Sequence, residues 1–407
     1  MQKNLSKQLL LCLFIVLSQA AQAVLVPQPI GVHIAPLTPG VIVDDTVIDS
    51  SELLAHEQAL QWVIERQRTL GAYHPELAKN WLNLAHQAVR LGQSESAANL
   101  FTQGLHNLRL NAGLTTDSQI TALSDWIAVL RRLGDAGTLS RQLEYRHRIT
   151  GFGGSFAADQ SIEYALEYFD HELSIWAVKP WDSVQREVLK FAEHLEDVVD
   201  RACEPGSADL GVCGALVKRR LQMLYLIVYK VEPYIEERQS LPIQTQRRVS
   251  QPSITDDRLE MIERGAFLAG VRMLEGAIKR VEDPEELELA LTDWRWFFGR
   301  TAGADEVYAR LSNRGDDGIS RPVELPHGLI NNSTVGYTSE SDESAAFGFR
   351  VTKRGRVRDI KATSASQNSR AKRLVRSALR EVRFRPAIGP DGLAVNFDIE
   401  KTYQLTR

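Results

Sequence analysis

From Ser51 to about Ser312, apolar residues recur every three or four positions, which predicts a long run of amphipathic helices. Glu52 to Leu70 reads as the first, and Leu70-Gly71-Ala72-Tyr73-His74-Pro75 breaks it. Leu77, Trp81, Leu84, Ala88 and Leu91 stripe the second helix, Gly92 turns the chain, and Ala97, Leu100, Phe101, Leu105 and Leu108 stripe the third. Ile120, Leu123, Ile127 and Leu130 carry a fourth that stops before Gly134, after which Leu139 and Leu143 continue on a fifth. Gly92 and Gly134 stand 42 positions apart, a period typical of helix-turn-helix repeats. Ser161–Ala177, Trp181–Ala202, Gly211–Glu237 and Asp257–Glu282 read as further helices, and Pro284 opens another. Leu291-Thr292-Asp293-Trp294 echoes Leu123-Ser124-Asp125-Trp126 and marks a last helix pair ending near Ser312.

The period changes at the C-terminal end. Phe347, Phe349 and Val351 alternate with Gly348, Arg350 and Thr352, as in a strand with one buried face. Lys353-Arg354-Gly355 reads as a turn, and Arg356 to Thr363 as a second strand whose alternation slips between Val357 and Ile360. Ala371, Leu374, Val375, Ala378, Leu379 and Val382 then predict a helix, ended by Arg383-Phe384-Arg385-Pro386-Ala387. After the Asp391-Gly392 turn, Val395, Phe397 and Ile399 alternate in a final strand, Ala394 to Tyr403. The fold class is therefore mainly α, with a small C-terminal α+β module in the order β-β-α-β.

Two resemblances rest on these residues. Leu70, Gly71, His74, Pro75, Asn83, Leu84, Ala85, Gly92, Ala97 and Phe101 resemble the 42-residue tetratricopeptide repeats of kinesin light chains. That likeness implies stacked helical hairpins, since one alone cannot bury its apolar face. The strand, basic Gly turn, strand and helix leading into Arg-Phe-Arg-Pro-Ala resemble the C-terminal domain of TonB-like proteins, over about residues 345–405. This likeness implies a periplasmic module that pairs with a short segment of an outer-membrane protein.

The N-terminus agrees with export. Lys3 and Lys7 precede an apolar run from Leu9 to Leu17, and Ala21 and Ala23 have the small-x-small cleavage spacing. The expected organisation is a signal peptide (1–23), an extended Pro-containing lead-in (24–50), a helical-repeat region (51–312), a linker (313–345) and the C-terminal domain (346–407). The Leu221–Val231 apolar stretch is too short for a membrane span and reads as core. Cys203 and Cys213 remain after cleavage and predict a disulfide in an oxidising compartment.

Charge is unevenly distributed. Residues 347–407 hold 15 of the 48 Lys and Arg but 5 of the 52 Asp and Glu, so the module carries net +10 and the rest net −14. An anionic or negatively charged partner surface follows, with Arg373, Arg376, Arg380 and Arg383 on the helix side opposite the stripe. Export argues against nucleic acid.

No catalytic chemistry stands out. The nine His are scattered and lack metal spacing, and His171-Glu172 reads as a surface pair. Gly151-Phe152-Gly153-Gly154-Ser155 lacks the Lys-Ser/Thr ending of a phosphate loop. The expectation is a non-enzymatic periplasmic adaptor without cofactor, binding a protein or peptide of the cell envelope, an outer-membrane protein among the candidates. Val395, Phe397 and Ile399 would present the pairing strand. The alternative is a TonB-type energy transducer for outer-membrane transport, which needs an uncleaved N-terminal anchor in the inner membrane.

Overall fold

The computed structural model describes residues 50–405 apart from 115, 152–157, 179–180, 205–209, 241–253, 282, 313–318, 326–342, 364–375, 377–378 and 381. The expected signal peptide, nearly all of the lead-in, and Arg373 lie outside the described residues. The chain is mainly helical, with a small group of strands at its C-terminal end. It divides into two compact units at Ala266/Phe267.

The first unit is all helical. It contains α1 (Ser50–Leu70), α2 (Pro75–Arg90), α3 (Ser94–Ala112), α4 (Asp117–Leu133), α5 (Ala136–Thr150), α6 (Ala158–Val178), α7 (Trp181–Ala202), α8 (Leu210–Ser240) and the start of α9 (Ile254–Ile278). The striped residues do what their spacing predicts. Leu77, Trp81, Leu84 and Ala88 of α2 are buried against Ala97, Leu100, Phe101 and Leu105 of α3 and Leu123, Ile127 and Leu130 of α4. Gly104 lets α2 and α3 approach closely, because a Cβ there would stand 2.7 Å from Leu82 Cδ2. Asn107 and Asn111 fasten α3 to the preceding turn, donating to the Ala72 and Tyr73 carbonyls at 3.1 and 2.9 Å. Gly134 closes α4 in the left-handed region, with φ 69°.

In α8, Leu221 and Met223 to Val228 are all buried. A helix apolar on every side belongs in a core, and α8 packs on α6 and α7. Cys203, just after α7, and Cys213 on α8 form a disulfide with Cα atoms 5.0 Å apart.

The second unit joins the end of α9, α10 (Glu285–Phe297) and α11 (Ala304–Ser312) to the strands β1 (Val323–Leu325), β2 (Glu343–Val351), β3 (Val357–Ala362), β4 (Arg383–Arg385), β5 (Ala387–Ile388), β6 (Ala394–Val395) and β7 (Phe397–Leu405). One sheet has the order β3-β2-β7, all antiparallel, and β1 pairs with β4 and β5 with β6. The slip in the second strand is a bulge. Register shifts by one between Gly348 and Arg350, and Asp359 on the longer side takes φ 55°. Phe347, Phe349 and Val351 pack with Val357, Leu379, Val382 and Phe384 in one cluster. Leu289, Trp296, Tyr308, Leu325 and Ile388 form a neighbouring one.

Several sequence expectations change here. Arg383-Phe384-Arg385, expected as the end of a helix, is strand β4, so Arg383 is not on a helix face. Its guanidinium donates to the Phe297 carbonyl at 2.6 Å. The expected final strand is two elements, β6 and β7, broken at Asn396, whose side-chain oxygen accepts from the Lys353 N–H at 2.9 Å. Val323–Leu325, inside the expected linker, is β1. Of the expected helix after β3, Arg376, Leu379, Arg380 and Val382 are among the described residues; the first three are helical and Val382 is not.

A buried ion pair ties β4 to α10. Asp293 and Arg385 are 0% and 1% exposed, their side chains meet at 3.3 Å, and the Tyr308 hydroxyl donates to the other Asp293 oxygen at 3.0 Å. Burial pushes the Asp293 carboxyl above its usual range, against the opposing pull of Arg385 and Tyr308.

Removing one partner of such a pair strands the other charge. Arg385→Met is therefore expected to destabilise this unit by about 3–5 kcal/mol. Asp293→Leu in the same chain should restore part of the loss, measured by denaturant unfolding. In the first unit, reducing the Cys203–Cys213 bridge releases a short loop and should cost roughly 2.5–3 kcal/mol in the chain-entropy account. Denaturation midpoints with and without reductant measure it.

Candidate binding surfaces

A concavity lies in the first unit, between α5, α6 and α7. It encloses about 950 Å³, the upper end of the range for small-ligand sites. Its shape follows from the local sequence: α5 and α7 both run antiparallel to α6. Ser140 meets His171 while His147 meets Tyr168, and Phe169 meets His194 while Trp176 meets Phe191.

The floor is aromatic. Trp176 and Phe191 stand edge to face at 4.4 Å, and Tyr168 stacks on His147 at 5.4 Å. Across this floor His147 Nε2 and His194 Nε2 lie 2.8 Å apart, so one ring donates and the other accepts. Burial lowers the His147 pKa to about 4, with the nearby His194 and Arg201 charges acting the same way. His194 is lowered by burial and by Arg201, against the carboxylates of Asp197 and Glu144. Both rings are neutral at pH 7. Tyr168, held among the same side chains, is likewise pushed up by burial, out of reach of ordinary titration.

The charged lining is mixed: Arg141, Arg148, Lys190 and Arg201 against Glu144, Glu172 and Glu187. Such a cleft can accept an apolar or aromatic group with polar flanks of either sign. Ser140 Oγ lies 3.1 Å from His171 Nε2, within reach for a nucleophile and base. Ser140 sits inside α5, however, where backbone N–H groups are committed to the helix. An oxyanion would find no free backbone donor beside it. Among the described residues no group of three or more His, Cys, Asp or Glu is placed to hold a metal ion, and no helix is long and apolar enough to cross a membrane.

Sequence reasoning missed this cleft. The expectation of a surface pair at His171-Glu172 is corrected, since they are 9% and 8% exposed and Glu172 lines the cavity. The available signal was the density of aromatic and His residues on Ser161–Ala177 and Trp181–Ala202.

The second candidate surface is the sheet of the other unit. β7 pairs with β2 through nine residue pairs, from Phe397↔Val351 to Leu405↔Glu343. Among the described residues no strand covers its other edge. Of the residues expected to present this strand, Phe397 is half-buried, Ile399 packs against the cluster under the sheet, and Val395, on β6, is 37% exposed. Arg376 and Arg380 are exposed, whereas Arg383 is turned to α10.

The histidine pair makes the first unit acid-sensitive. Below the usual histidine pKa of about 6.5 the unfolded chain binds a proton that folded His147 refuses until about pH 4. Stability is therefore flat above pH 7 and falls as pH drops from 6.5 towards 4, by about 3 kcal/mol for His147. Unfolding midpoints against pH measure this, and His147→Phe should flatten the curve. No protein-family model matches the chain, and no curated protein matches it.

Proposed function

We propose that the chain is a non-enzymatic, periplasmic protein-binding adaptor. In this reading the helical unit is a stack of tetratricopeptide-like hairpins. The C-terminal strands and helix form a TonB-like module of β-β-α-β order, which pairs with an extended segment of a cell-envelope protein. The observation that carries the reading is the outer edge of β7, a nine-residue strand that among the described residues is bonded on one side alone. Such an edge offers backbone donors and acceptors to an added strand, and side chains alternating along it supply selectivity. The aromatic cleft between α5 and α7 provides a second place where a peptide can insert a side chain. The Cys203–Cys213 bridge supports an oxidising compartment.

The test uses the whole chain, because deleting residues 345–407 would remove Arg385 and leave Asp293 buried without it. A photo-reactive residue at exposed Glu400 on β7 is expected to cross-link one envelope protein through a single extended segment. Lys79, exposed on α2, serves as the control position. No adduct at Glu400, or the same adducts at both positions, would reject strand addition at β7.

A further inference from the structure

The same sheet has a second edge, and its chemistry differs from that of β7. Residues 353–361 hold five cations, Lys353, Arg354, Arg356, Arg358 and Lys361, and one carboxylate, Asp359. All five cations are exposed. Gly355, at φ 70°, anchors the turn between them, because a Cβ there would stand 2.0 Å from the Phe384 carbonyl and 2.7 Å from Trp296 Nε1. The turn is thereby pressed onto α10 and β4 while Lys353 and Arg354 remain in solvent.

Alternation along β3 sends Val357 and Ile360 inward and leaves Arg356, Arg358 and Lys361 outward. The bulge at Asp359 preserves this arrangement by absorbing the extra residue. The outward three span roughly 15 Å of edge strand. The local carboxylates are already engaged: Arg350 pairs with Asp398 at 2.8 Å and with Asp359 at 3.5 Å. None of the five cations is ion-paired among the described residues. The edge is therefore a row of uncompensated positive charge.

We propose that the β2–β3 turn and the outer side of β3 form a docking strip for anionic phospholipid headgroups at a bilayer surface. Three observations favour a membrane over other polyanions. The exposed side chains of residues 353–361 include no aromatic ring on which a base could stack. Beyond the single Arg356↔Arg383 bridge to β4, no strand among the described residues covers the outer edge of β3, which suits a fluid surface that rearranges its own charges. Residues 1–346, at net −14, are repelled by that surface, which favours contact through the C-terminal module. Because the order among the described strands is β3-β2-β7, lipid contact at β3 does not engage the β7 edge.

The oxidised full-length protein is sedimented with vesicles of phosphatidylcholine and phosphatidylglycerol in equal parts, and with phosphatidylcholine alone. Binding is expected to the anionic vesicles and to be lost at high salt. Each cation near the surface contributes about five-fold, so R356Q/R358Q/K361Q should weaken partitioning on the order of 100-fold while leaving the unfolding midpoint unchanged. K353Q/R354Q at the turn should weaken it roughly 20-fold. R376Q/R380Q on the neighbouring helix removes the same charge as K353Q/R354Q, and should have a smaller effect. Equal binding to neutral vesicles would overturn the proposal, as would equal loss for the two double variants. So would tighter binding to a single-stranded oligonucleotide, or an unaffected triple variant.

Discussion

The C-terminal unit depends on a charge that its own helix cannot keep in water. Asp293 lies in the middle of α10 and is fully buried, a position that would expel a carboxylate unless a cation and a hydrogen-bond donor came with it. Arg385 supplies the first and Tyr308 the second. Both come from later in the chain, Tyr308 from α11 and Arg385 from β4. The three segments must be in place together for any of them to be satisfied. This couples helices and strands more firmly than apolar contact alone, because a misregistered β4 would bury two unmatched charges.

β4 is the hinge of that coupling. Arg383 and Arg385 point to α10, one at the Phe297 carbonyl and the other at Asp293, while Phe384 between them enters the cluster beneath β2 and β3. Three consecutive residues thus join two cores with period-two alternation. Trp294 closes the other side of α10, donating from Nε1 to the Phe267 carbonyl at 3.1 Å over Gly270, which has no room for a Cβ. Residues around Asp293 therefore have little freedom to change size.

The sequence was readable wherever structure is set locally. Leu77, Trp81 and Leu84, or Phe347, Phe349 and Val351, announce their buried faces through spacing alone. What the spacing could not carry were pairings across long separations. His147 and His194 stand 47 residues apart and Asp293 and Arg385 stand 92 apart. The repeated Leu-x-Asp-Trp tetrad makes the point within one chain. Asp125 is half exposed beside His86 at 3.6 Å, whereas Asp293 in the same local setting is fully buried. The Arg-Phe-Arg run misled for the same reason. Proline after it argues against helix, but only the tertiary partners of its two arginines make it a strand.

Net charge also needs tertiary context before it can be turned into function. Of the cations behind the module's excess, Arg385 is inside the protein, Arg383 caps a carbonyl and Arg350 is engaged by two carboxylates. Arg383 and Arg385 tie β4 to α10, and the Arg350 charge is offset by its carboxylates. The exposed remainder is sorted by the strand order: β3 and its turn carry cations, while β7 carries Asp398 and Glu400 on its solvent face. An edge that bears carboxylates can pair with another strand without being drawn to an anionic surface. An edge dense in unpaired arginine and lysine resists strand pairing through mutual repulsion. The two edges of one small sheet are thus suited to different partners, and each discourages the other's.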